Sequence, residues 1–124
     1  MTRNRQSAKA AGTRFERQVA DYLAHTVDDR IDRRAKTGAA DKGDIAGVRT
    51  PWNDKVVLEC KNTTRTNLSG WIKEAEQERI NDQAYIAAVV HKRTGKATPA
   101  DQYVTMTLEN FAKLLDGKTQ GDHP

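Results

Sequence analysis

The chain has 124 residues, of which 36% are hydrophobic and 31% are charged, and it carries a net charge of +4. This length fits one domain with one core, and no segment has the run of roughly 20 apolar residues that spans a bilayer. The first residues lack the apolar middle of a secretory signal, so we expect a soluble cytoplasmic protein with no membrane partner. A single cysteine and three dispersed histidines exclude a disulfide framework and a structural zinc cluster.

The positive charge is concentrated near the start of the chain. Residues 1–49 contain 11 Lys and Arg against seven Asp and Glu, whereas residues 50–124 contain ten of each kind. The first 11 residues include Arg3, Arg5 and Lys9 and no acid, which predicts a flexible basic arm suited to a polyanion such as DNA. Basic arms also serve solubility, so charge alone leaves a nucleic-acid partner open.

The apolar pattern predicts a single folded domain over residues 12–116. In chain order its elements are a helix from residue 13, strands at 31–36, 45–48 and 56–61, a helix at 71–82, strands at 85–90 and 103–106, and a closing helix from 108. The order α-β-β-β-α-β-β-α is typical of an α/β or α+β domain built on one mixed sheet flanked by helices. Residues 117–124 are predicted to form a disordered tail.

Capping and turn residues support these boundaries. Pro51 favours a turn between the second and third strands, which are then expected to pair as a hairpin. Asn67 or Ser69 is suited to cap the second helix, whose thin apolar stripe ends at Ile80, and Thr107 is suited to cap the closing helix. The closing helix has its apolar residues on one side: Leu108, Phe111, Ala112 and Leu115.

The segment Glu59-Cys60-Lys61 is the most informative polar feature of the chain. Side chains alternate along a strand, so Glu59 and Lys61 share one face with Val57 while the other face belongs to the core. An acid and an amine are therefore presented side by side near the end of a strand. An amphipathic strand with an ordinary ion pair has the same pattern.

Asp44 precedes the strand that is predicted to pair with the strand of Glu59. An acid at the start of one strand and an acid at the end of its hairpin partner lie across from each other, within reach of one hard divalent cation. Because it follows Gly43, Asp44 also fits a simple turn position.

Glu16 is a third acid, at the edge of the apolar stripe of the first helix. It also completes the segment Thr13-Arg14-Phe15-Glu16, which fits a capping box in which the glutamate bonds the Thr13 amide. Metal support and helix capping are both compatible with the sequence at this position.

Taken in order, these acids resemble the core of the PD-(D/E)XK nucleases. The matching residues are Glu16, Gly43-Asp44 with glycine at the position of the proline, and Glu59-Cys60-Lys61, followed by a helix and the strand at 85–90. The basic residues ahead of Asp44 and the opening GTRFERQVADYL are most similar to the small Holliday junction resolvases of archaea, Gram-positive bacteria and phages. The resemblance covers residues 12–91 and implies a restriction-endonuclease-like core.

The resemblance implies an endonuclease dependent on Mg²⁺ or Mn²⁺ that resolves four-way DNA junctions by paired phosphodiester hydrolysis. It assigns the metal to Asp44, Glu59 and the backbone carbonyl of Cys60, with Glu16 in support, and it assigns water positioning or charge stabilisation to Lys61. A homodimer is expected because a junction needs two symmetric cuts. Contacts with DNA are expected from eight residues: Arg3, Arg5, Arg33, Arg34, Lys36, Thr37, Arg65 and Lys73.

Two other functions are compatible with the same residues. One is a nuclease of this core that acts on a flap, a nick or a specific duplex site. The other is a small basic DNA-binding module without catalysis, in which the acids serve as capping and ion-pair residues.

Overall fold

The computed structural model describes residues 4–35 and 40–117. Its elements are α1 (Arg5–Thr26), β1 (Asp32–Arg33), β2 (Ile45–Ala46), β3 (Val56–Lys61), α2 (Leu68–Asn81), β4 (Ile86–His91), β5 (Tyr103–Thr105) and α3 (Leu108–Asp116), with a 3₁₀ turn at Pro99–Asp101. The predicted DNA contacts Arg3, Lys36 and Thr37, and the predicted tail beyond residue 117, lie outside the described residues. Among the described helices, none combines the length and the hydropathy of a membrane span.

In this part of the chain, five strands form one mixed sheet in the order β1-β2-β3-β4-β5. β3 and β4 are parallel, paired from Val56 with Ile86 to Lys61 with His91, and the other neighbouring strands are antiparallel. Parallel neighbours require a crossover connection, and α2 provides it. The predicted mixed sheet flanked by helices is thus confirmed.

The bounds of β3 are those predicted, whereas β1 and β2 are shorter than expected. Each contains only two residues. Gly47 follows β2 directly with a φ of +84°, a backbone conformation that interrupts an extended strand. The predicted hairpin between β2 and β3 is present, with Ile45 opposite Leu58.

Both faces of the central strands are buried. On one face, Phe15 of α1 packs in a cluster with Leu58 and Cys60 of β3. On the other face, Val57 of β3 packs in a cluster with Trp71 of α2. The predicted alternation along β3 is therefore confirmed, and the face that carries Glu59 and Lys61 is covered by α2.

α1 begins at Arg5 and not at Thr13, which corrects two predictions. The side chain of Asn4 accepts a hydrogen bond from the Ser7 amide, and Ser7 Oγ accepts one from the Asn4 amide, so the capping box lies at these two residues. Residues 5–11 are helical and do not form a flexible arm, because alanine and other strong helix formers occupy most of this segment.

α2 begins after Asn67, whose side chain caps it as predicted. Its buried residues include Ala75 and Glu78, whereas Ile80 is 59% exposed. The predicted place of Ile80 on the buried stripe is wrong, because the helical spacing of three to four residues leads from Ala75 to Glu78. A glutamate therefore occupies a core position of this helix.

α3 begins after Thr107, as predicted, but its apolar side is largely exposed. Leu108 is 80% exposed and Leu115 is 69% exposed. The buried residue of this helix is Asn110, whose side-chain amide donates a hydrogen bond of 2.6 Å to Glu76 of α2. α3 is thus attached to the domain through a polar contact.

We predict that Phe15→Ala lowers the free energy of unfolding by about 3–5 kcal/mol, the usual cost of removing a buried aromatic ring. Phe15 is 2% exposed and anchors α1 on the sheet. Urea unfolding followed by circular dichroism measures the change. Gln18→Ala on the exposed side of the same helix is the control and should cost far less; equal stabilities of the two variants would contradict this packing.

Candidate metal centre

β3 carries Glu59 and Lys61 on the side of the sheet that α2 covers. Glu59 is 4% exposed. The Lys61 Nζ lies 3.7 Å from Glu59 Oε2 and 2.7 Å from Glu74 Oε2 of α2. The acid and the amine that were predicted to lie side by side do so, beneath a helix and next to a further acid.

Asp44 is held against β3 by two hydrogen bonds. Its amide donates to the Leu58 carbonyl (3.0 Å), and its Oδ2 accepts from the Cys60 amide (2.8 Å). β2 begins at Ile45, so the Cys60 amide of β3 bonds the Asp44 carboxylate in place of a backbone carbonyl. The N–H and C=O of one strand residue point toward the same neighbour, so the Cys60 carbonyl lies at this edge as well.

Gly43 allows this close approach. Its φ is +95°, and an added Cβ would lie 3.0 Å from Val57 Cγ1 and 3.1 Å from the Leu58 carbonyl oxygen. Proline cannot adopt this conformation, because its ring holds φ near about −65°. Glycine at this position therefore brings Asp44 against β3.

Three carboxylates converge in the same region. One oxygen from each of Asp41, Glu59 and Glu78 lies within 4.8 Å of the others, and Asp44 lies within hydrogen-bonding reach of Glu59. Glu78 is 1% exposed, and no N–H or hydroxyl group within the described residues donates a hydrogen bond to either of its carboxylate oxygens or to Glu59 Oε1. Buried oxygens of this kind need a proton or a cation between them.

Burial and neighbouring acids raise the pKa of both glutamates. For Glu59, loss of solvation is the main cause, and the contacts with Asp44 and Glu78 move the pKa further above its usual range. Burial raises the pKa of Glu78 to about 7, although the hydrogen bond from Glu59 opposes this shift. The two buried carboxyl groups therefore favour a proton held between them. A divalent cation would replace that proton.

Lys61 keeps its positive charge beside this cluster. Burial lowers its pKa, but the hydrogen bond to Glu74 and the charge of Glu59 outweigh burial, and the pKa is raised overall. The ammonium group therefore acts as a hydrogen-bond donor and a fixed cation.

Glu16 lies on α1, on the opposite side of the sheet from α2. Its Oε1 accepts hydrogen bonds from Arg33 Nη2 (3.1 Å) and Nε (3.3 Å). Thr13 is inside α1, so the interpretation of Glu16 as a helix cap is wrong. Glu16 is not one of the three described acids that converge, although its charge contributes, after burial and Asp44, to the raised pKa of the Cys60 thiol.

The predicted DNA contacts fall into two groups in the structure. Two arginines form ion pairs within the chain: Arg33 with Glu16 at 3.1 Å, and Arg34 with Asp82 at 3.5 Å. The exposed group consists of Arg5, Arg65 and Lys73.

Three acids near Glu59 are not predicted from the sequence. Glu78 has a signal in the sequence, because it lies at helical spacing from Ala75 on the buried stripe, where an apolar residue is expected. Glu74 lies one turn earlier on the same helix. Asp41 has no such signal, since a loop brings it to the site, where its Oδ1 accepts a hydrogen bond from the Gly43 amide (2.9 Å).

Comparison with protein families, with curated proteins and with solved structures gives no significant match to this chain. The function of the site is therefore inferred from its residues and their geometry. The buried acids, the fixed Asp44 and the charged Lys61 are the features that a function has to explain.

We predict that Glu78→Gln raises the melting temperature in the presence of a chelator by a few degrees, because it removes a buried negative charge and keeps the shape of the side chain. A shift of this size corresponds to on the order of 1 kcal/mol in a small domain. The same variant should lose most of the Mg²⁺-dependent rise in melting temperature that we expect of the wild type.

Thermal unfolding with and without MgCl₂ measures both effects. Glu109→Gln, the same chemical change at an exposed position of α3, is the control and should respond to Mg²⁺ as the wild type does. A Glu78→Gln variant that melts lower in chelator, or that keeps the full response to Mg²⁺, would show that Glu78 belongs to no metal centre.

Proposed function

We propose that this chain is a metal-dependent DNA endonuclease that resolves four-way junctions and has a restriction-endonuclease-like core. The observation that carries the proposal is the buried contact of Glu59 with Glu78 beside the charged Lys61, in which no N–H or hydroxyl group of the described residues donates to the Glu78 oxygens or to Glu59 Oε1. Buried polar atoms without partners are costly and rare in a purely structural core. They are useful in a hydrolytic site, where they bind a cation.

The donor set fits Mg²⁺ or Mn²⁺. Both ions prefer oxygen ligands, and the cluster within the described residues consists of carboxylates. We assign the ion to Asp44, Glu59 and the Cys60 carbonyl, with Asp41 and Glu78 as the adjacent acids. The orphaned oxygens of Glu59 and Glu78 support this assignment.

The residues of the site have distinct roles in the proposed hydrolysis. When bound, the cation supplies Lewis-acid chemistry, polarising the scissile phosphate and lowering the pKa of a water molecule. Lys61 donates a hydrogen bond to the attacking water or to a phosphate oxygen as negative charge develops. Glu74 holds the Lys61 ammonium beside Glu59, and the Cys60 amide orients Asp44.

Glu16 has a different role in this proposal from the one that the resemblance implies. Its carboxylate holds the Arg33 guanidinium through two hydrogen bonds, so it orients a cation at the edge of the sheet. Arg33 is then positioned to meet a phosphate group of the substrate.

The proposed substrate is a branched DNA recognised by shape. Arg5, Arg65 and Lys73 are exposed and bind phosphates without reading base sequence. Within branched DNA, the four-way junction is chosen because the acids and the basic residues ahead of Asp44 resemble those of the small junction resolvases.

We predict that Glu59→Gln lowers the rate of junction cleavage by at least about 100-fold while leaving junction binding within about threefold, because the variant loses a charged ligand and no DNA contact. The amide resembles the protonated carboxyl, so the fold should persist. The measurement is Mg²⁺-dependent cleavage of a synthetic four-way junction, with linear duplex and flap DNA as controls for substrate choice.

Glu109→Gln is the matched control variant and should cleave like the wild type. Near wild-type cleavage by Glu59→Gln would refute the assigned active site. A wild-type protein that binds junctions and cleaves no DNA in Mg²⁺ or Mn²⁺ would favour the non-catalytic DNA-binding module, and cleavage of flap or duplex DNA alone would identify a different nuclease substrate.

We propose that the enzyme is a homodimer, because a junction needs two symmetric cuts. The exposed apolar side of α3, formed by Leu108, Phe111 and Leu115, is the surface that we assign to the second copy. These side chains are between 44% and 80% exposed, which is unusual for a helix with so regular an apolar side.

Leu115→Lys is therefore predicted to convert a dimer into a monomer, because it places a charge in the apolar contact. Light scattering coupled to size exclusion measures the molar mass. Val27→Lys is the control, since Val27 is 64% exposed but lies at the end of α1. A monomeric wild type, or a dimeric Leu115→Lys variant, would contradict the assigned interface.

A further inference from the structure

An open groove of about 370 Å³ lies between α1 and the end of β3. Its lining residues are Ala8, Gly12, Cys60, Lys61, Asn62, Thr63 and Thr64. Two of them, Cys60 and Lys61, belong to the segment that forms the candidate metal centre. The groove therefore lies next to this segment at the end of β3 and extends from there toward the first turns of α1.

The wall formed by α1 has small side chains at the groove and basic residues at neighbouring positions. Ala8 and Gly12 are small, and a Cβ added at Gly12 would meet no atom within 4 Å outside the residue's immediate neighbourhood. Arg5 and Lys9 are exposed on the adjoining positions of the helix, and no acid occurs in α1 before Glu16. This wall leaves space next to the helix backbone, and neighbouring positions of the helix carry cations.

The opposite wall, formed by Lys61 and the residues that follow it, offers uncharged hydrogen-bonding groups. Asn62 Nδ2 lies 3.5 Å from the Ala11 carbonyl oxygen, which ties this wall to α1. Thr63 Oγ1 donates to the Arg65 carbonyl (2.6 Å) and holds the loop in shape. Thr64 is exposed at the groove. The geometry of the groove is thus set by contacts of the chain with itself.

We propose that this groove binds the sugar-phosphate backbone of the DNA strand that is cut, at the nucleotides next to the scissile phosphate. Its lining combines hydroxyl and amide groups with a lysine and contains no acid, which suits a polyanionic backbone and gives no readout of base sequence. The site rests on the proposed nuclease function, because the metal centre identifies which strand enters the groove.

The first test fills the groove. Gly12→Leu places a side chain in the space above the helix, and it favours the helix because glycine is a poor helix former. Ala10→Leu is the matched control, since Ala10 is exposed on a different side of α1. For the full-length protein, we measure the melting temperature with and without MgCl₂, the affinity for a four-way junction in Ca²⁺, and cleavage in Mg²⁺.

Gly12→Leu is expected to keep the fold and the Mg²⁺-dependent rise in melting temperature, to weaken junction binding at least tenfold and to lower cleavage correspondingly. Ala10→Leu should behave as the wild type. A Gly12→Leu variant that binds and cuts junctions as well as Ala10→Leu overturns the groove, whereas the proposed nuclease function stands.

A second pair of variants tests the opposite wall without adding bulk to a helix. Thr64→Glu brings a negative charge into the groove, and Thr66→Glu brings the same charge to an exposed position of the same loop that does not line it. Thr64→Glu should weaken junction binding at least fivefold more than Thr66→Glu, and equal effects would overturn the proposal.

Failure of the groove and failure of the nuclease function give different results. If the wild type cuts no DNA but Gly12→Leu and Thr64→Glu still weaken binding selectively, the groove is a DNA site and the nuclease function is wrong. If the wild type cuts junctions and both variants match their controls, the groove is not a DNA site and the nuclease function stands.

Discussion

The contact between the carboxyl groups of Glu59 and Glu78 constrains the rest of the structure. Both side chains are almost fully buried between β3 and α2, where two negative charges repel each other and lose their hydration. Burial is the main reason why the pKa of each is raised, and a hydrogen bond donated by Glu59 to Glu78 relieves the repulsion. In the proposed function a divalent cation takes the place of the proton in that hydrogen bond, so a contact that is unfavourable for stability contributes to metal binding.

The surroundings of this contact are arranged so that the unfavourable charge is tolerated. β3 is a central strand, and its pairing with β4 fixes Glu59 and Lys61 on a rigid element. The side of α2 that faces this strand is polar there. Glu74 forms an ion pair with Lys61, and Glu78 contacts Glu59. Since the two helical acids are one turn apart, they match two strand residues that lie on the same face.

The proposed DNA groove and the candidate metal centre meet at the end of β3. Lys61 lines the groove and also lies 3.7 Å from Glu59, so one residue contacts both regions. α1 provides the other wall, where the small residues Ala8 and Gly12 leave space beside the helix backbone. The same helix therefore has two functions in this proposal, since Phe15 anchors it in the core while its first turns line the groove.

Patterns among residues that are close in the sequence determined the mixed sheet with its helices, the bounds of β3, the caps Asn67 and Thr107, and the pairing of Glu59 with Lys61 on one face. These features follow from helical and strand periodicity and from local hydrogen bonds, which neighbouring residues are enough to specify. Only the tertiary structure decided which acids meet Glu59. Glu78 does so because the β3-α2-β4 crossover lays its helix over the strand, and Glu16 does not because Arg33 holds it.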